Sequence, residues 1–211
     1  MRTARPDNAN PDLMVILLVV GAALAANLNV LTAGFVWDDR ALITGNMLIT
    51  HLDLLPEFFT RPFLGIYYRP LVTVSFSLDF AIWGLRPFGF HLTNLLLHAA
   101  NAVFVLFIAL KVLRRNKSAV LAATLFAVHP AHKGVVAIAD RTGMLAAFFL
   151  LSSALLYIRS RGAGRRESVA FLTGSLLCYG LGLFSKETVI MLPLLFVAMD
   201  TLLFGQNITE W

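Results

Sequence analysis

Cysteine is almost absent from this chain: one, Cys178, occurs in 211 residues. An internal disulfide and a site built from several thiolates are therefore excluded. Charge is scarce as well, with Asp, Glu, Lys and Arg making up 14% of the residues. A water-soluble domain carries about 25%. No internal repeat, low-complexity tract or linker-like stretch divides the sequence, so it reads as one domain over 1–211 with no repeat domain. What fills the chain is apolar: 58% of residues are hydrophobic and the mean hydropathy is +0.77. This composition predicts an all-α integral membrane protein.

Apolar runs fall at 13–31, 91–113, 118–138, 142–159, 168–185 and 188–204. Each approaches the ~20 residues that a helix needs to cross the hydrocarbon core, so about six transmembrane helices are expected. A shorter run, 70–84, carries Asp79 and reads as a helix in the interface or re-entering the membrane. It belongs to a long first outer loop, 32–90. Ala23-Leu24-Ala25 at the end of the first run resembles a signal-cleavage site, but the segment is read as an uncleaved anchor.

The formal charge of +5 does not point to nucleic acid, because the basic residues sit at the ends of apolar runs. Arg2 and Arg5 precede the first span; Lys111, Arg114, Arg115 and Lys117 separate the second from the third; Arg159, Arg161, Arg165 and Arg166 separate the fourth from the fifth. These groups alternate consistently with one side, which the positive-inside rule makes cytoplasmic. The N-terminus is then cytoplasmic, and loop 32–90 and the turns near 129–141 and 185–188 face the periplasm, exterior or lumen. The sequon Asn207-Ile208-Thr209 falls inside and is discounted.

Ionisable groups at the membrane edge are costly and mark function by default. The unusual ones gather on the outer side. Asp38, Asp39, Arg61, Arg69 and His91 belong to the first loop and its exit; His129, His132, Lys133, Asp140 and Arg141 to the next turn; Lys186 and Glu187 to the last. Ordinary solvated loop charge is the competing reading. On the second span, His91, Asn94, His98 and Asn101 share one helical face that should point into the bundle. Interhelical hydrogen bonding suits Asn94 and Asn101, while His91, nearest the outer surface, is the better site candidate. His129 and His132 flank the helix-breaking Pro130 and lack cysteine support as metal ligands. A phosphate among these cations fits better, with a divalent metal left as an alternative. Lys186 and Glu187 open the last span, where an anion site and a capping role with Ser185 as N-cap are both compatible. Tyr67, Tyr68, Trp83 and Phe88 suit the outer interface as aromatic anchors.

Four stretches carry a resemblance: FVWDDRALITGN; YYRPLVTVSFSLDFAIWGLRPFGFHLTNLLLHAANAVFVL; LFAVHPAHKGVVAIADRTGMLAAFFLLSSALLY; and LGLFSKETVIMLPLLFVAMD. In this order they resemble the membrane half of the transmembrane O-mannosyltransferases that carry tetratricopeptide repeats, and more broadly the GT-C class of glycosyltransferases. The resemblance implies a GT-C-like N-terminal module with a polyprenyl-phosphate sugar as donor. By position it implies a catalytic base in the pair Asp38–Asp39, with Asp38 favoured. It implies a lipid-phosphate set of Arg69, His129, His132, Arg141 and Lys186, to which His91 is added from its place on the second span.

The expected function is transfer of a sugar from the polyprenyl phosphate to a hydroxyl acceptor, with inversion, on the non-cytoplasmic side. The expected partners are the bilayer, that donor, and a protein partner or further C-terminal domain. The alternative is a non-catalytic subunit with an assembly role in a membrane complex. It is motivated by the short length and by Lys133-Gly134 and Thr142-Gly143, which stand where relatives carry acidic residues. A transporter ranks last, because no paired interrupted half-helices are visible.

Overall fold

The computed structural model describes residues 11–63, 65–113, 115–131 and 137–205. They form eight α-helices: α1 (Leu13–Asn27), α2 (Leu55–Phe58), α3 (Pro70–Trp83), α4 (Pro87–Leu113), α5 (Asn116–Val128), α6 (Arg141–Arg161), α7 (Arg165–Leu183) and α8 (Leu192–Leu203). Among the described residues no strand forms beyond one isolated bridge between Phe63 and Tyr67. The protein is an all-α membrane protein. Three helical segments are long and apolar enough to span a bilayer: Leu13–Thr32, Pro87–Leu113 and Ile138–Arg161.

Sequence explains where the helices stop. α3 starts on Pro70, whose fixed φ suits a first turn. It ends at Gly84, with φ +60, a value that favours glycine. Fourteen residues give a helix of about 21 Å, too short for a core of roughly 30 Å. The chain then reverses tightly into α4, and a Cβ on Gly89 would lie 2.1 Å from Cγ of Trp83. The run expected to span 118–138 is described as helix only to Val128. His129 then adopts extended backbone (ψ 126°), as a residue before proline prefers.

α4 is the hub and packs against α1, α3, α5 and α6. Its contact with α1 and α5 is made mainly of small side chains: Ala23, Ala99, Ala102, Ala109, Ala119, Ala123 and Ala127, with Val19 and Leu106. In lipid, close approach of backbones supplies van der Waals contact where no hydrophobic drive exists between helices. α6 and α7 are latched by two buried serines. Ser153 Oγ–H donates to the Ser175 carbonyl at 2.8 Å, and Ser175 Oγ–H donates to the Ser153 carbonyl at 2.9 Å.

The first outer loop is folded. A π-turn at Arg40–Thr44 and 3-10 turns at Met47–Thr50 and Leu52–Leu54 lead into α2. Leu42, Ile43, Ile49 and Phe63 pack on Val72, Phe76, Phe90 and Ile138. Each such large side chain contributes about 1.5–3 kcal/mol when fully buried away from water. This small core joins the loop to α3, α4 and the entry to α6, and it holds the site residues in place.

Candidate functional site

The adjacent carboxylates divide the work. A turn brings Asp39 N–H to the Val36 carbonyl at 2.9 Å, with Trp37 in the left-handed region at φ 43°. Asp39 is fully buried. Its Oδ2 accepts the Val36 N–H at 3.0 Å and its Oδ1 accepts the Ala139 N–H at 2.7 Å. The second bond spans 100 residues and pins the first loop to the entry of α6. Asp38, on the other side of the turn, is exposed. Trp37 beside it is 82% exposed and strained, and backbone strain of this kind collects at functional sites. Sequence reasoning missed Trp37, because a tryptophan at a membrane edge has a sufficient reading as an anchor.

Arg69 is already engaged. Its Nε donates to Glu187 at 3.2 Å, and its Nη2 donates to both carboxylate oxygens at 2.7 and 2.9 Å. Its guanidinium carbon stacks 4.1 Å from the Tyr67 ring centroid. Hydrogen bonding from Arg69 holds the Glu187 carboxyl below its usual value of 4.5. The pairing is supported by Leu71 N–H donating to the Phe184 carbonyl at 3.2 Å, which joins the start of α3 to the α7–α8 turn.

Arg141 is fully buried, and its whole guanidinium is engaged. Nε donates to Asn94 Oδ1 at 2.7 Å, Nη2 to the Phe90 carbonyl at 2.6 Å, and Nη1 to Asp79 and, at 3.4 Å, to the Ser75 carbonyl. Asp79 Oδ1 also accepts from Thr93 Oγ1 at 2.7 Å. The Asp79–Arg141 pair was not anticipated as a pair. Its signal was available in the lone carboxylate of the 70–84 run, which in an apolar setting requires a partner.

The polar face of α4 is buried at His91, Asn94, His98 and Asn101. Asn94 Nδ2 donates to the Ala137 carbonyl at 3.4 Å and Asn101 Nδ2 to the Met144 carbonyl at 3.1 Å, while His98 Nε2 lies 2.9 Å from the Ala127 carbonyl. The expected interhelical bonding of the two asparagines is present. His91 has no exposed surface. His129 is exposed, and its Nδ1 accepts the Ala131 N–H at 3.1 Å. His132 and Lys133 lie outside the described residues.

Lys186 differs from Arg69 and Arg141. Its ammonium makes no ion pair among the described residues, and it lies 4.0 Å from where a Cβ on Gly143 would stand. It thus sits at the first turn of α6, near the positive end of that helix's dipole. The ammonium and the dipole both favour an anion. The turn after it departs from the expected capping. Lys186, not Ser185, is the N-cap of the 3-10 turn Glu187–Met191, with no side-chain cap bond. Ser185 Oγ–H instead donates back to the Leu181 carbonyl at 3.1 Å, because its hydroxyl is satisfied by the preceding helix.

Asp39 is thus bonded to Ala139, two residues before Arg141; Lys186 lies beside Gly143 in the first turn of α6; and the neighbouring Glu187 is bonded to Arg69. The structure brings Asp38, Asp39, Arg69, His91, Arg141 and Lys186 to one end of the bundle, in exposed, engaged and buried states, and leaves His129 exposed where α5 ends. Among the described residues no three His, Cys, Asp or Glu side chains group as a metal site.

Comparison with known proteins adds relatives. The chain is 39% identical over 194 residues to human protein O-mannosyl-transferase TMTC2, an alignment covering 82% of this chain and 22% of that protein. It is 36% identical over 164 residues to human protein O-mannosyl-transferase TMTC3, covering 73% of this chain and 18% of that protein. With Drosophila melanogaster protein O-mannosyl-transferase Tmtc2 it shares 32% identity over 216 residues, 96% of this chain and 23% of that protein. The chain thus spans about a fifth of the length of these relatives. No family model matches it, and no solved structure matches it.

Proposed function

The chain belongs to the sequence family of the protein O-mannosyl-transferases, and on that premise we propose that it forms the membrane core of a glycosyltransferase. The donor is a polyprenyl-phosphate sugar, the acceptor is a hydroxyl, and the reaction takes place on the non-cytoplasmic side. The relatives' names make mannose the first sugar to test and a protein hydroxyl the first acceptor. The observation that carries this reading is that an exposed carboxylate, Asp38, adjoins the Asp39 that bonds Ala139 at the entry of α6, while an ammonium without an ion pair among the described residues, Lys186, lies beside Gly143 in the first turn of that helix.

The chemistry assigns one task to each of these two residues. The acceptor oxygen attacks the anomeric carbon and its proton passes to Asp38. The bond between that carbon and the phosphate oxygen breaks, and the lipid phosphate leaves with the electron pair. Lys186, beside the positive end of α6, holds the charge that develops on it. Attack from the face opposite the phosphate inverts the anomeric carbon. In this reading Asp39, Arg141 and His91 are positioning residues: their burial lets them fix the loop and the head of α6 without touching the donor. Arg69 reaches a phosphate only by exchanging its bonds to Glu187. His129 lies at the exposed edge, where a headgroup arrives.

The test is sugar transfer from a polyprenyl-phosphate mannose donor by the chain in lipid nanodiscs. Asp38→Asn should lower the rate by about 10²–10⁴, the usual contribution of a general base. Full retained activity would overturn the assignment. A second reading, a subunit that kept the fold without the chemistry, is favoured by the neutralised state of Arg69. A stoichiometric complex from native lipid together with no donor binding would select it.

A further inference from the structure

A polar cavity lies at the end of the bundle opposite the candidate site. α6 runs from Arg141 to Arg161, so its two ends are separated by about 30 Å. The cavity measures about 430 Å³ and is lined by Ser160, Arg161, Ala163, Arg165, Ser168, Leu172 and Phe204. Arg161 is held there in part by Asp200, 3.3 Å from its Nε, and by Phe204, whose ring centroid lies 5.6 Å from its guanidinium carbon. Asp200 is itself buried and accepts the Tyr157 hydroxyl at 2.5 Å, so the carboxylate that pairs with Arg161 is fixed. Arg165 is exposed and makes no ion pair among the described residues. It opens α7, whose N-cap Gly164 provides no side-chain bond, so the first N–H groups of that helix are left for another acceptor. Glu167 belongs to the same turn but does not line the cavity.

An apolar track leaves this polar mouth. Leu172 lines the cavity, and Val169, Leu172 and Leu176 follow i, i+3, i+7 spacing along α7, exposed at 59%, 37% and 63%. A free phosphate would use only the mouth. A molecule with an anionic head and an acyl chain would use both parts, with charge at Arg161 and Arg165 and hydrocarbon along α7. The arginines here also serve as topology signals, but a topology signal needs neither a cavity nor an adjoining apolar track.

We propose that this cavity is a binding site for an anionic glycerophospholipid, independent of the sugar-transfer site at the other end. The phosphate sits between Arg161, Arg165 and the opening of α7, with Ser168 within the mouth, and one acyl chain lies along Val169, Leu172 and Leu176.

The experiment is native mass spectrometry of the full chain in non-ionic detergent, titrated with phosphatidylglycerol or phosphatidylcholine. One phosphatidylglycerol should bind at least tenfold more tightly than phosphatidylcholine. Arg165→Glu should weaken it tenfold or more, whereas Arg166→Glu, the same charge change outside the lining, should weaken it less than threefold. Ser168→Trp, which fills the mouth without altering charge, should also weaken it tenfold. Equal affinity for the two lipids, equal effects of the two arginine changes, or full competition by millimolar inorganic phosphate would each overturn the proposal. Circular dichroism of each variant establishes that it is folded, and all these positions lie away from the residues assigned to transfer.

Discussion

Removing the carboxylate of Asp79 should destabilise the protein severely. Asp79 and Arg141 form an ion pair in which both side chains are almost wholly buried. Arg141 also donates to Asn94, to the Phe90 carbonyl and to the Ser75 carbonyl, and its guanidinium lies 4.9 Å from the Phe76 ring centroid. Asp79→Ala leaves those neutral acceptors in place and takes away the only carboxylate bonded to the guanidinium among the described residues. A buried charge stripped of its partner costs about 3–5 kcal/mol. At roughly 2 °C per kcal/mol for a chain of this size, the melting temperature should fall by about 6 °C or more. Thr93 Oγ1 also loses its acceptor, which adds to the fall.

The assay is thermal unfolding in detergent, monitored by tryptophan fluorescence. A companion variant keeps the test specific. Asp79→Leu with Arg141→Met removes both charges and should be less destabilised than Asp79→Ala alone, since apolar replacement of an entire buried pair is often neutral. If Asp79→Ala melts with the parent, or if the double variant is worse than the sum of the single changes, the coupling drawn between these two residues is wrong.

Other expectations separate stability from activity. Asp39→Ala should destabilise by about 2 kcal/mol, because the Val36 and Ala139 N–H groups lose their buried acceptor; Asp38→Ala should leave the unfolding curve unmoved. Lys186→Ala should weaken donor binding by about tenfold, the effect of losing one charged contact, with no fall in melting temperature; unchanged donor titration would count against a phosphate role. The Arg69–Glu187 pair gives a signed pH dependence. The Glu187 pKa is depressed in the fold, so its stabilisation is present above the ordinary carboxyl value of 4.5 and is lost as pH falls through the lowered value. Glu187→Gln should lower the melting temperature slightly at neutral pH, a small effect because the carboxylate is 59% exposed and screened, and leave the acid end unchanged, so the acid limb flattens. Gly89→Ala should cost about 1–3 kcal/mol through the clash with Trp83, measured by the same melting assay.

Much of the fold was legible in the chain because membrane helices obey strong local rules. Apolar runs had to be helical, since lipid offers no other partner for backbone groups. Pro70, Gly84 and Pro130 marked where helices begin or stop, and the four-residue polar stripe on α4 was legible as an inward face from its spacing alone. The gathering of charge at loop ends was legible for the same reason: ionisable groups are excluded from the runs between them.

What only the tertiary structure decided is which charge is spent on which partner. Periodicity assigns a residue to a face, but the docking of helices assigns it a neighbour. Arg69 and Glu187 are 118 positions apart, and Arg141 and Asp79 are 62 apart. No local pattern joins either pair. The same holds for Asp38 and Asp39, identical in type and adjacent in sequence. A single turn at Trp37 and the distant Ala139 N–H bury one carboxylate in the scaffold and leave the other at the surface. The sequence by itself determined that carboxylates and cations meet at one end of a helical membrane protein; packing determined which of them remain available for chemistry.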